Sequence, residues 1–451
     1  MYLTLRDRPA AEKGAGRPVR QRVAGTVFLL GLVSLFTDIS SESVNAILPL
    51  YLTSILGMST LAYGFIDGIY QGVSAVVRIL GGWIADRSDH PKWVAFVGYF
   101  VSALSRIALI PAHTFGAITA VITVDRLGKG VRTAPRDAMI AESSPPESLG
   151  RAFGVHRTMD TVGALLGPLL AFWILLVVPG DYRSVFIASL AFAAIGVAIL
   201  LLVVPDIRPR RRQRAAAQSS VATEAADADD SELAPAPAAE PAKATIPRVS
   251  LRHLRTPLMG RLLLAAGLLG VLTIGDGFLY LELTYRDSVA TKYFPLLYVG
   301  TNFAYLALAV PFGRLADRVG RARVYIGGHV LLLLAYICAG GPLAGAVTSL
   351  ACLLLLGAYY AATDGVLPAI AGRLSPTGLR TSAIATAQTV VAIGRFASSI
   401  LFGVMWTAYG REQALVTVSV LLLGAIPIAA MLMRGLNTPV AADADALADA
   451  A

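Results

Sequence analysis

Carboxylates and guanidinium groups recur inside stretches of this 451-residue chain that are otherwise apolar. Asp38 and Glu42 stand one helical turn apart, Asn45 and Pro49 continue the same stripe, and Asp67 sits in the next apolar run. Two carboxylates on one helix face, partly withdrawn from water, favour uptake of a proton near neutrality. Farther on, Asp125, Lys129, Arg132 and Arg136 form one stripe, while Arg126, Gly130, Thr133 and Asp137 form the stripe beside it. Arg126 can either steer an anion or hold a carboxylate ready for protonation. His156 and Asp160 are also one turn apart, and Gly163 and Gly167 extend their face. A His–carboxylate pair titrates near physiological pH, which suits a proton relay or a gate contact. Asp276 lies between glycines, and Asp364 and Arg395 occupy later apolar runs. No nucleophile, metal-ligand spacing or phosphate loop stands beside these groups, so no enzyme, metal or cofactor is expected. Cys338 and Cys352 both lie in apolar runs and supply no disulfide framework.

The elements that must position these groups follow from composition. Hydrophobic residues make up 56% of the chain, charged residues only 15%, and mean hydropathy is +0.66. Soluble domains carry about 25% charge, so a soluble enzyme with a polar shell is excluded. Apolar runs fall near 26–53, 60–85, 92–111, 115–141, 151–178 and 184–204, then near 258–285, 293–316, 322–341, 345–372, 380–408 and 412–433. Each is long enough to span a bilayer as a helix, which takes about 20 residues. The fold class predicted is an all-α membrane protein of twelve transmembrane helices.

The net charge of +9 has a membrane explanation rather than a nucleic-acid one. Basic residues concentrate on one set of connections: Arg6 to Arg22, Arg87, Lys92, Arg151, the 208–214 cluster, Arg318, Arg321, Arg323, Arg373, Arg380 and Arg434. The positive-inside rule places that set, and with it both termini, in the cytoplasm. No small-residue cleavage site follows the first apolar run, so it reads as a retained span. The expected layout is a tail over 1–25, a bundle over 26–205, a disordered basic linker over 206–257, a second bundle over 258–434 and a tail over 435–451. The linker's RPRRRQR and RHLR strings suit anionic lipid.

The two halves repeat one another. "GGWIADRSDHPK" at 81–92 follows the second span, as "FGRLADRVGRAR" at 312–323 follows the eighth. "SPPESLGRAFG" at 144–154 and "SPTGLRTSA" at 375–383 also occupy matching positions. Such duplication is what a transporter built of two related bundles shows.

Gly313, Asp317, Arg318, Gly320, Arg321 and Arg323 together resemble the loop signature of the major facilitator superfamily, and Gly82, Asp86 and Arg87 are its first-half copy. Asp89 and His90-Pro91-Lys92 depart from that signature. Arg126 and Gly130 resemble the superfamily's fourth-span signature, with Arg132 a departure. Gly163, Gly167, Pro168 and Ala171 resemble its fifth-span antiporter signature. "DRLGKGVRTAPRDAMIAESSP" at 125–145, "RAFGVHRTMDTVGALLGP" at 151–168 and "FTDISSES" at 36–43 are similar to a bacterial branch of the superfamily. The resemblance implies the major facilitator fold, two pseudo-symmetric six-helix bundles working by alternating access. It implies gating loops at Gly82, Asp86, Arg87, Gly313, Asp317, Arg318 and Arg321, with each loop glycine letting two helices approach and the charges latching one face. Gly130, Gly163, Gly167 and Pro168 are then helix-packing positions.

Charges at membrane depth are costly and face a bundle interior. Asp38, Glu42, Asp67, Arg126, Asp160, Asp276 and Arg395 are therefore the candidates for proton coupling or a substrate cavity. The expected function is proton-coupled export of a small organic compound across the cell membrane. A carrier for an anionic solute and a non-transporting sensor or scaffold are the competing readings. Small-molecule substrate, protons and membrane lipids are the expected partners, with a monomer as the working unit.

Overall fold

The structure is a computed structural model that describes residues 24–88, 90–145, 148–206, 256–375 and 380–436; the side chains of 79–83, 85–88 and 381 are not among those described. The tails and the 206–257 linker expected from the sequence lie almost wholly outside these residues. Buried in lipid, a backbone must satisfy its own donors and acceptors, and apolar runs of this length therefore become helices. Among the described residues there is no strand.

The first half comprises α1 (Gly25–Asn45), α2 (Thr60–Ser88), α3 (Pro91–Leu109), α4 (Phe115–Glu142), α5 (Leu149–Val177) and α6 (Tyr182–Leu202). The second comprises α7 (Pro257–Val271), α8 (Asp276–Asp287), α9 (Phe294–Val319), α10 (Arg321–Gly340), α11 (Ala346–Thr363), α12 (Val366–Arg373), α13 (Arg380–Tyr409) and α14 (Arg411–Leu432). Local signals set several starts. Thr114, Asp181 and Thr256 accept hydrogen bonds from amides of the first turns of α4, α6 and α7. Pro91 and Pro257 open α3 and α7, where a missing N–H costs nothing.

Taking α7–α8 and α11–α12 as continuous, ten helical segments are long and apolar enough to cross a membrane by length and composition. Two more of the twelve expected spans fall on α2 and α4, helices of 29 and 28 residues that are not among those ten. Large apolar side chains such as Trp173, Leu202, Leu264 and Val347 lie exposed on the outside of the bundles. Apolar exposure on that scale suits a hydrocarbon solvent rather than water.

Three spans are interrupted. α1 gives way at Ala46 to a short turn over Leu48–Leu50 and a π-helical turn over Tyr51–Ile55. α7 and α8 are separated by 272–275, and α11 and α12 by Asp364-Gly365. The break before α8 is held by one side chain. The Tyr336 hydroxyl donates to the Leu272 carbonyl at 3.1 Å and accepts from the Ile274 amide at 2.9 Å. That restores backbone partners which the missing helical turn would otherwise leave bare. Two helix ends are closed by cations: Lys92 donates to the Leu201 and Val204 carbonyls, and Arg261 donates to the Met431, Leu432 and Arg434 carbonyls.

In the first half α1 packs on α5 and α6, α2 on α4, and α3 on α4 and α6. In the second, α9 and α10 pack on α11, α7 on α13, and α10 on α14. The halves meet along α2 with α13 and along α5 with α9. The α2–α13 contact is tight enough that a Cβ at Gly68 would lie 3.0 Å from the Phe396 carbonyl, and one at Gly403 would lie 2.9 Å from the Thr60 carbonyl. Thr60 and Thr407 hydroxyls bridge it at 3.0 Å. Alongside, Phe278 meets Tyr63 and Phe402 edge-on at 4.7 and 4.9 Å between ring centres. These contacts gather at the end carrying the α1–α2 connection, the closed end. Toward the opposite end nothing stands within 4 Å of a Cβ built at Gly150, Gly154 or Gly313, and Arg157 is 62% exposed. The space between the halves opens there.

Candidate functional site

Small residues on α5 bring it onto α1. A Cβ at Gly163 would meet the Leu35 carbonyl at 2.6 Å, and one at Gly167 would meet the Ser43 amide at 2.8 Å; Pro168 is buried beside them. This close approach sets Asp38 of α1 opposite Asp160 of α5, with their carboxyls in hydrogen-bonding reach. Two carboxylates held this close would repel each other, and a proton on either would relieve that repulsion. Asp160 is also 3.4 Å from Arg157 and 3.9 Å from Arg136. Arg136 reaches Asp137 at 2.9 Å, and Asp137 reaches Arg78 of α2 at 3.2 Å. A chain of alternating charge therefore runs from α2 through α4 to α5, with the Asp38–Asp160 contact at its end.

Here the pairing differs from that expected. Glu42, one turn from Asp38, accepts from Asn45 at 3.1 Å and is directed toward Arg126 and Tyr70 instead of joining Asp38. His156 lies one turn from Asp160 but bonds Ser34 at 2.9 Å, and Ser34 in turn accepts from Arg136. Residues one turn apart on a helix share a face, but each meets whichever neighbouring helix is nearest.

Arg126 also departs from its expected place in an open cavity. It is 2% exposed and bonded to Asp125, whose other oxygen is 3.0 Å from Arg106 of α3. The Arg126 guanidinium lies over the Tyr70 ring at 3.7 Å. Arg106 went unnoticed in the sequence, although an arginine inside an apolar run is itself a signal. Close packing explains the burial: a Cβ at Gly128 would sit 2.6 Å from the Gly98 carbonyl, and one at Gly130 would sit 2.6 Å from the Cβ of Val77.

Asp67 belongs to the junction of the halves. Ser399 of α13 donates to it at 2.6 Å, and a Cβ at Gly275 would fall onto its carboxylate. Glycine is required there, where the α7–α8 break meets α2. One residue beyond, Asp276 accepts from the Tyr360 hydroxyl at 2.6 Å. Arg395 donates to the Tyr359 hydroxyl at 3.2 Å and sits 5.2 Å from the Tyr360 ring centre. Asp67, Asp276 and Arg395 are thus brought into one neighbourhood. Asp364 lies on the α11–α12 break, exposed, and within electrostatic reach of Arg395 and Arg157. Glu282 on α8 is buried with Arg411 3.9 Å away, and was not singled out beforehand.

Among the gating positions, Gly82, Asp86 and Arg87 lie in the last turns of α2, and their side chains fall outside those described. Asp317 pairs with Arg321 at 3.0 Å, Arg321 also donates to the Ala369 carbonyl of α12, and Arg318 is exposed. Both bonds stay within the second half. Gly313, expected to allow a close helix approach, has no neighbour within 4 Å of its Cβ position. The halves are apart at that end, so the glycine has nothing to approach.

Two helical bundles joined at one end and parted at the other, with ionisable groups between them, are the architecture of a membrane transporter. A sequence model of the Major Facilitator Superfamily matches residues 30–296 and 288–448, and the chain belongs to that family. It is 27% identical to the uncharacterized MFS-type transporter MJ1317 of Methanocaldococcus jannaschii, over 86% of this chain and 89% of that protein. A multidrug resistance protein MdtH of Klebsiella pneumoniae is 31% identical over 31% of this chain and 35% of its own length. The fold is similar to that of the nucleoside transporter NupG, with a TM-score of 0.71 at 16% identity, covering 92% of this chain and all of that one (100%). A POT family transporter bound to 5-aminolevulinic acid superposes equally well, at TM-score 0.71 and 14% identity, over 92% of this chain and 97% of the other. The protein is a multi-pass membrane transporter of this superfamily.

Proposed function

We propose that the transporter exports a small organic compound in exchange for protons. The observation that carries this reading is the contact between the Asp38 and Asp160 carboxyls, beside the open space between the halves. A carboxyl pair that holds one proton in this arrangement loses it when Arg136 or Arg157 shifts closer, which links protonation to helix position. Export fits the antiporter-like glycines of α5 and the partial likeness to proteins named for multidrug resistance. The basic connections make the open end cytoplasmic, so the cavity faces the compartment from which cargo is collected. Both termini then lie in the cytoplasm and one chain is the working unit.

The test uses protein reconstituted in vesicles with an imposed pH gradient. Asp38→Asn and Asp160→Asn are each expected to abolish gradient-driven accumulation of a substrate while leaving downhill exchange intact. Undiminished gradient-driven accumulation by both variants would remove the pair from the coupling mechanism.

One observation favours carriage of an anion. Arg157 and Arg78 are more exposed than the carboxylates they pair with, at 62% against 16% and 47% against 28%. On that reading Arg157→Gln halts transport of a negatively charged solute and spares neutral ones.

A further inference from the structure

We infer that Asp364 is the anchor of the substrate site and that the cargo it holds carries a protonated amine. The inference rests on the space between the halves being the transport path. It adds the chemical class of cargo, which the Asp38–Asp160 contact leaves open.

The membrane-embedded carboxylates differ in how they are occupied. Asp125 is divided between two arginines, Asp137 lies between Arg78 and Arg136, and Asp160 between Arg136 and Arg157. Asp67 takes the Ser399 hydroxyl and Asp276 takes the Tyr360 hydroxyl. The Asp364 carboxylate makes no hydrogen bond or ion pair with any of the described residues, the residue's one bond being from its backbone amide to the Tyr360 carbonyl at 3.0 Å. It is exposed even though it lies within a span that is otherwise largely buried. An ionised group at that depth without a partner is expensive, and such groups mark ion or substrate paths.

Its surroundings select the sign of the ligand. Asp364 caps the C-terminal end of α11, where the last carbonyls of the helix point out and carry partial negative charge. Both features attract a cation. Asp364 faces Tyr305 of α9 and Arg157 of the first half, so it looks into the space between the halves. Tyr305 is partly exposed near it, offering a ring face to a cation or to an aromatic body. The nearby arginines have other contacts: Arg157 with Asp160 and Tyr305, and Arg395 with Tyr359 and the Tyr360 ring, although the Arg395 Nε makes no hydrogen bond among the described residues. A ligand amine can therefore take the open carboxylate while these contacts stay in place.

The experiment is equilibrium binding to the full-length protein in lipid nanodiscs at neutral pH. The probes are 2-phenylethylamine, its carboxylate counterpart 3-phenylpropionate, and neutral 2-phenylethanol. The amine is expected to bind most tightly. Asp364→Asn should weaken it by about tenfold or more, the loss of one charge-assisted contact, and change the neutral alcohol less than about twofold. Asp364→Glu keeps the charge, so it should retain most amine binding and guard against misfolding of the Asn variant. Preferential binding of 3-phenylpropionate would overturn the proposal. So would unchanged amine affinity in Asp364→Asn, even if that variant transports poorly, since Asp364 would then be a closure contact for Arg157. These readouts need no pH gradient, so a failure of proton coupling and a failure of the amine site are separable.

Discussion

The two halves share one helical plan but handle buried charge differently. The first half neutralises many of its ions with one another: Arg106 with Asp125 and Arg126, then Arg78, Asp137, Arg136, Asp160 and Arg157 in sequence. Its helices α2 to α6 run unbroken, while α1 is interrupted at Ala46. The second half interrupts its helices at 272–275 and at Asp364-Gly365, keeps its Arg286–Asp287 ion pair at the end of α8, serves Asp276 with a tyrosine hydroxyl, lends a serine hydroxyl to Asp67 of the first half, and leaves the Asp364 carboxylate open. An ion network resists rearrangement because separating any pair strands a charge in low dielectric. Hydroxyl contacts and helix breaks exchange partners at lower cost. On the proposed reading, rigidity and proton handling fall to the first half, and bending and cargo contact to the second.

The strongest way to break this contrast is to remove one acid from each half. Asp125→Asn leaves Arg106 and Arg126 buried with one neutral partner, and should destabilise the protein by roughly 3–5 kcal/mol. Asp276→Asn keeps an acceptor for Tyr360 and should cost about 1 kcal/mol. Thermal unfolding of the purified variants, with membrane abundance as a second measure, compares them directly. Equal losses would mean that the second half depends on its acids as heavily as the first.

A smaller effect separates the glycines. Gly167→Ala puts a methyl 2.8 Å from the Ser43 amide and 2.9 Å from the Glu42 Cβ, so α5 must move off α1, at a cost of about 1–3 kcal/mol. That shift also parts Asp38 from Asp160. Gly424→Ala on α14, which has nothing within 4 Å, should be neutral or slightly stabilising through helix propensity. Unfolding temperature, read together with gradient-driven transport, distinguishes packing loss from loss of the carboxyl contact.

How much of this was legible beforehand depends on the kind of information each feature needs. Apolar runs and the repeated loop strings mark the helices and their duplication, because lipid imposes one backbone solution on any long apolar segment. Individual ions are equally visible, since Asp38, Asp67, Arg126 and Asp276 each interrupt such a run. Their partners are not. Asp38 faces Asp160 because glycines on α5 admit α1, and Arg126 is closed in because Arg106 arrives from α3; both depend on helix contacts that linear spacing does not encode. The helix breaks did leave a trace. Gly275-Asp276-Gly277 and Asp364-Gly365 are turn-forming strings inside apolar runs, read in the sequence only as flanked charges.

The mildest test of the contrast concerns two corresponding helix starts outside the membrane-spanning segments. α6 begins at Asp181, which accepts from the Ser184 hydroxyl and, at 3.1 Å, from the Ser184 amide. α14 begins at Gly410, which has no side chain to cap with and a left-handed φ of 85°. The Ser184 hydroxyl and amide hold the Asp181 carboxyl below its ordinary value. A group depressed in the folded state stabilises it above the unfolded-state value and loses that contribution as pH falls through the folded one. Asp181→Ala should therefore lower stability by about 1 kcal/mol at neutral pH, with the difference from the parent protein vanishing in acid. Gly410→Asp should gain nothing, because its backbone sits in a region L residues rarely adopt, and a cap there would arrive with strain. Denaturation at pH 7 and under strongly acidic conditions measures both variants. A gain in Gly410→Asp equal to the loss in Asp181→Ala would show that the second half lacks a cap by chance of sequence, not because its backbone forbids one.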